Sequence, residues 1–136
     1  MRICIAYQCL NNRKIEEYAK SLALGLEMQS NAVVELIDIA NDSDKKLTGF
    51  KYILFGSDKK SFFGSKLDER YVTFLKNCGH ISGKHSFVFT SKGFNAYKFL
   101  SIFMTELEKE GVFIKNSAVL SSAVEAKIVA SKLHIK

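Results

Sequence analysis

Three short stretches of this 136-residue chain carry the side chains able to do chemistry. The first, Gln8-Cys9-Leu10-Asn11-Asn12-Arg13, sits between an apolar run and a helical pattern. A loop in that place turns unpaired backbone N–H groups toward a ligand, which suits an anion. The second, Ser57 to Ser65, holds Asp58, Lys59, Lys60, Phe62, Phe63 and Gly64; the third, Thr90 to Asn95, holds Ser91, Lys92, Gly93 and Phe94. Aromatic side chains on two such loops can sandwich a planar ring, and Gly56, Gly64 and Gly93 let the backbone approach it closely.

Other chemistries lack a necessary part. Cys9 and Arg13 are similar at first glance to the cysteine and arginine of low-molecular-weight tyrosine phosphatases. Here the arginine follows after four residues where that family has six, and the family's Asp-Pro general acid is impossible in a chain with no proline. A phospho-receiver domain needs an acidic pair after the first strand and a lysine after the fifth, where this chain has Tyr7-Gln8 and Ser121-Ser122, so Asp58 has no metal partners. Gly-x-Gly dinucleotide fingerprints and the P-loop lysine pattern are both missing. His80 and His85 bracket a turn with no nearby carboxylate or second cysteine, which makes them structural or solvent-facing and leaves no metal site.

The elements that position the three loops follow from hydrophobic periodicity. Ile3 to Tyr7 is an apolar run fit for a buried strand. Ile15, Tyr18, Ala19, Leu22 and Leu26 then recur at spacings of three and four, the signature of an amphipathic helix. Ala32 to Ile39 predicts a second strand, and Tyr52 to Gly56 a third that is apolar on both faces. Between them Gly49 arrives too soon for more than a turn or two of helix. Leu67, Tyr71, Phe74 and Leu75 mark the next helix, and Ser86 to Thr90 the fourth strand. A helix with Phe99, Leu100, Phe103, Met104 and Leu107 inside follows. Asn116 to Ser121 forms the fifth strand, approached through Val112 to Ile114, and a weakly patterned helix spans Val124 to Leu133. Alternation of this kind predicts an α/β chain: a three-layer αβα sandwich on a five-stranded parallel sheet of order 2-1-3-4-5, all in one domain over residues 1–136. Its switch point lies between the first and third strands, where the three loops meet.

With the loops so placed, the chain resembles the flavodoxin-like family over essentially its full length. Ile53-Leu54-Phe55-Gly56-Ser57 followed by Phe62-Phe63-Gly64 looks like one flavin-ring loop, and Val88 through Gly93 like the second. Tyr7 through Ile15 stands in the place of the phosphate loop. There Asn11 agrees with the family, Tyr7, Cys9 and Asn12 replace hydroxyl residues, and Leu10 replaces a glycine. The resemblance implies bound FMN, its phosphate at the first helix and its ring between the other loops. The implied binding residues are Gln8, Cys9, Leu10, Asn11, Asn12, Arg13, Ser57, Asp58, Phe62, Phe63, Gly64, Ser91, Lys92, Gly93 and Phe94. It further implies electron transfer or a small flavin-dependent reductase, with the ring doing the chemistry and no catalytic side chain. Three lost hydroxyl donors weaken a phosphate site by roughly 4 kcal/mol or more, while backbone amides survive substitution and Asn12 and Arg13 offer new donors. The alternative is a flavodoxin-like domain that has lost FMN and serves as a protein-interaction module, with Leu10 filling the phosphate place.

Composition bounds the partners. With 20 Lys and Arg against 14 Asp and Glu the net charge is +6, and Lys59, Lys60, Lys66 and Lys92 flank the mouth. A basic rim suits an acidic redox or interaction partner, whereas nucleic-acid binding has only the charge in its favour. No apolar run approaches the roughly 20 residues that span a bilayer. No secretory signal pattern opens the chain, and three cysteines form no Cys-x-x-Cys pair. A cytoplasmic monomer or homodimer is the expectation.

Overall fold

The structure, a computed structural model, describes residues 1–135. The apolar run at the start becomes strand β1 (Arg2–Gln8), buried from Ile3 onward. Helix α1 (Lys14–Gln29) buries Ile15, Tyr18, Ala19, Leu22 and Leu26, the stripe that their spacing predicts. Strand β2 (Val33–Asp38) is largely open to solvent and β3 (Tyr52–Ser57) is buried throughout, which fits an edge and a central position. Helix α2 (Glu69–Asn77), strand β4 (His85–Ser91), helix α3 (Ala96–Lys109), strand β5 (Phe113–Leu120) and helix α4 (Ala123–Ser131) complete the chain. All four strand pairings are parallel and the order is β2-β1-β3-β4-β5, as the alternation predicts.

Side chains alternate across β1 and divide the core in two. Ile3, Ile5 and Tyr7 pack with α1 and α4, while Cys4 and Ala6 pack with α2 and α3. Tyr71 of α2 is fully buried on that second side, and its hydroxyl donates to the Ala6 carbonyl at 2.6 Å, pinning α2 to the central strand.

Three local expectations shift. No helix forms between β2 and β3; residues 39–51 cross as turns, burying Ile39, Leu47 and Phe50. The Lys84 ammonium replaces helical order there by donating to the carbonyls of Leu47 (3.1 Å), Phe50 (2.7 Å) and Thr48. Leu67 belongs to the core but lies two residues ahead of α2, whose N-cap is Asp68. Strand β5 absorbs the segment read as an approach, because the register slips between Ser86 and Phe87: these pair with Ile114 and Asn116, and Lys115 is accommodated in the irregularity.

Candidate functional site

The register between β1 and β3 pairs Gln8 with Ser57, so the chain leaves both strands side by side at the sheet's carboxyl edge. Cys9 and Asp58 are the next residues out. The loop before α1 bends over Asp58, and its amides find an acceptor there. Asp58 Oδ1 accepts the Leu10 N–H at 2.8 Å, and Oδ2 accepts the Asn11 N–H at 2.9 Å. The Asn11 side-chain amide adds a longer bond to Oδ2 at 3.4 Å and another to the Lys59 carbonyl. Asp58 is 5% exposed, so its charge is held by these donors more than by water.

Lys59 makes the second tie. Its ammonium donates to the Phe62 carbonyl at 2.8 Å and to the Phe94 carbonyl, joining the loop after β3 to the loop after β4. Two consecutive residues of opposite charge therefore stitch all three loops together.

Above the ties sits an aromatic cluster. Phe62 and Phe94 stack with centroids 5.0 Å apart and planes 9° from parallel, and Phe63 meets both edge-on at 4.9 and 5.8 Å. Phe62, Phe63 and Phe94 are 64%, 79% and 49% exposed. Phe62 and Phe94, with Asn11, Asp58, Lys92 and Gly93 among others, line a cavity of about 340 Å³, at the lower end of small-molecule sites.

The remaining predicted residues divide between this mouth and other duties. Asn12 lines the cavity, while its Oδ1 accepts the Lys14 N–H at 2.9 Å, closing the turn into α1. Arg13 is engaged by Glu16 and lies 3.5 Å from Asp38. Glu16 also accepts the Tyr7 hydroxyl at 3.0 Å; that bond first, and Arg13 second, hold its carboxyl below the usual range despite some burial. Gln8 is fully buried beneath the loop and donates to Asp68 Oδ2 at 3.1 Å. Cys9 is half-buried against the α1 and α4 side, and burial pushes its thiol up, away from a reactive thiolate. Ser57 is buried and bonds the Asp58 carbonyl, and Ser91 lines the cavity.

The glycines read as ligand-approach positions also divide. A Cβ on Gly56 would meet the Phe89 ring at 2.2 to 2.6 Å, so this glycine makes room for a core phenylalanine. On Gly64 it would meet Ser61 Oγ at 2.5 Å, and Gly93 alone faces open space. Asp68 was no candidate in the sequence. It caps α2 by accepting the Arg70 N–H, bonds Arg70 Nε at 3.1 Å and lies 3.7 Å from the Lys60 ammonium. Its sequence signal is an N-cap aspartate ahead of a helical pattern.

These features match known architectures. The Bacillus cereus flavodoxin 1 structure superposes with a TM-score of 0.74 at 16% identity, covering 96% of this chain and 95% of that one. The two-electron reduced Megasphaera elsdenii flavodoxin gives 0.69 at 18%, covering 96% and 99%. The fold is flavodoxin-like. Flavodoxin 2 of Bacillus cereus gives 0.68 at 21% identity, covering 96% and 93%. No protein-family model matches the sequence, and no curated protein matches it significantly.

FMN tests the flavodoxin-like mouth in two places. Its phosphate does not fit the β1–α1 loop in this arrangement, since the Leu10 and Asn11 amides already hold a carboxylate. A dianion brought to the same amides would face a buried like charge. Its ring requires Phe62 and Phe94 to part by at least about 2 Å, because stacking on both faces at roughly 3.5 Å spreads the ring planes to about 7 Å and the 5.0 Å between centroids is an upper bound on their present spacing. Among the described residues no cluster of His, Cys, Asp and Glu is able to hold a metal, and no helix is long and apolar enough to cross a membrane.

Proposed function

We propose that this chain is a flavodoxin-fold interaction module that presents the Phe62–Phe63–Phe94 cluster to an acidic protein partner. The carrying observation is three phenylalanines packed on one another yet turned to water, on loops already tied together by Asp58 and Lys59. A contiguous exposed apolar patch rimmed by charge is the ordinary mark of a docking surface. Lys60, Lys66 and Lys92 around it favour carboxylates at the partner's rim, and aromatic anchors at its centre supply most of the affinity. The three cysteines are free, in keeping with a reducing compartment such as the cytoplasm.

The test has two arms. A photoreactive residue at position 63 crosslinks the partner in cells, and the purified partner is then titrated against Lys66→Glu/Lys92→Glu and Phe63→Ser. Both variants weaken the complex at least tenfold while keeping the wild-type melting temperature. Stoichiometric FMN in freshly purified protein would overturn this function.

A specific observation favours a second role, in electron transfer or as a small flavin-dependent reductase. Phe62 and Phe94 are already near-parallel, and Gly93 leaves their flank open. When bound, the flavin ring supplies the one- or two-electron chemistry itself; this chain's part is to stack the ring between Phe62 and Phe94 and exclude water from it. Quenching of added flavin fluorescence at micromolar protein is the readout.

A further inference from the structure

We infer that Asp58 is a resident anion, an intramolecular substitute for a ligand's phosphate, so that any planar ligand of this mouth binds without regard to a phosphate group. Two consecutive amides of the β1–α1 loop converge on one acceptor, and each bonds its own carboxylate oxygen, at 2.8 and 2.9 Å. A phosphate monoester would present two oxygens to those amides in the same manner. The carboxylate forms no ion pair with any lysine or arginine among the described residues, so its charge rests on the amides and Asn11. Displacing it costs both bonds and leaves a 5%-exposed charge without donors. Asp58 therefore completes the loop and closes it to phosphate.

The consequence is a specificity that one residue controls. The unmodified chain does not distinguish FMN from riboflavin through this loop, because the Asp58 carboxylate already holds both amides. Asp58→Ser removes the anion, leaves the amides free and adds a small hydroxyl donor, which converts the loop into a phosphate-monoester site. This stands whether or not the aromatic cluster docks a protein.

The experiment compares the full-length wild-type and Asp58→Ser proteins in two measurements. In flavin-fluorescence titrations, wild-type affinities for FMN and riboflavin agree within about threefold, or neither binds, while Asp58→Ser gains FMN over riboflavin by about tenfold or more. In amide NMR titrations with inorganic phosphate, the Leu10 and Asn11 resonances move in the variant and stay fixed in the wild type. Wild-type preference for FMN of about tenfold, or a folded variant whose Leu10 and Asn11 amides ignore phosphate, overturns the assignment. Should Asp58→Ser fail to fold, Asp58→Ala, which also frees both amides, is read by the same two criteria.

Discussion

Asp58→Ala should destabilise the protein, and inorganic phosphate should restore part of the loss. Two hydrogen bonds to an ionised carboxylate disappear, each of a kind that contributes about 1.5–3 kcal/mol. Leu10 is half-buried and Asn11 exposed, so water recovers part of that sum. A net loss of about 2–4 kcal/mol remains, which lowers the melting temperature by roughly 10 °C in a domain of this size. Asp58→Asn recovers no more than half, because the side-chain amide offers one acceptor and turns a donor toward the second N–H. Urea denaturation of the three proteins, followed by circular dichroism, measures this directly. Phosphate at about ten times its dissociation constant then returns about 1.4 kcal/mol to Asp58→Ala and nothing to the wild type. A variant within about 0.5 kcal/mol of wild type, or equal stabilisation of both proteins by phosphate, would refute the claim that the carboxylate satisfies these amides.

Two further outcomes follow from the surroundings of the mouth. Gly56→Ala should cost about 1–3 kcal/mol or more, because its Cβ would sit 2.2 Å from Phe89 Cζ; Phe89→Leu in the same chain should restore part of it, and a double-mutant cycle in urea gives the coupling. Burial pushes Asp68 up, but hydrogen bonds from Arg70 and Gln8, with the Arg70 charge, more than offset it and hold the carboxyl below its ordinary value. A depressed folded-state value places its stabilisation above the ordinary carboxylate range of about 4, to be lost as the pH falls through the lower folded value. Urea midpoints between pH 6 and pH 3 should therefore fall less in Asp68→Asn than in wild type, and identical slopes would count against this role.

The sheet was legible because its information is local. Apolar runs fit for strands, separated by helices of period 3.6, admit few parallel arrangements, and Ile15 to Leu26 form the buried stripe their spacing demands. Meeting of the three loops followed from strand order alone, and Phe62, Phe63 and Phe94 do meet. Asp58 was visible only as a loop residue grouped with the cofactor ligands. Its grip on the loop before α1 depends on the Gln8–Ser57 register, a relation between segments 49 residues apart that leaves no periodic trace. Gly56 was misread for the same reason, since the ring it admits, Phe89, comes from the neighbouring strand. Under the interaction-module alternative Leu10 fills the phosphate place, yet what meets the amides is the Asp58 carboxylate, because an N–H needs an acceptor and a leucine side chain has none.

That last point bears on why the fold persists with these loops. A loop that turns two amides toward one point must satisfy them, with water, with a ligand or with its own side chains. A phosphate does so from outside, and the loop's order then depends on the ligand's concentration. Asp58 does so from within at every concentration, and Lys59 likewise supplies a cation to the carbonyls of Phe62 and Phe94. The charges a cofactor would have organised are thus covalently attached to the chain. Phe62 and Phe94 stack at 5.0 Å on loops that the chain's own charges tie together, which is the preorganisation a docking surface requires.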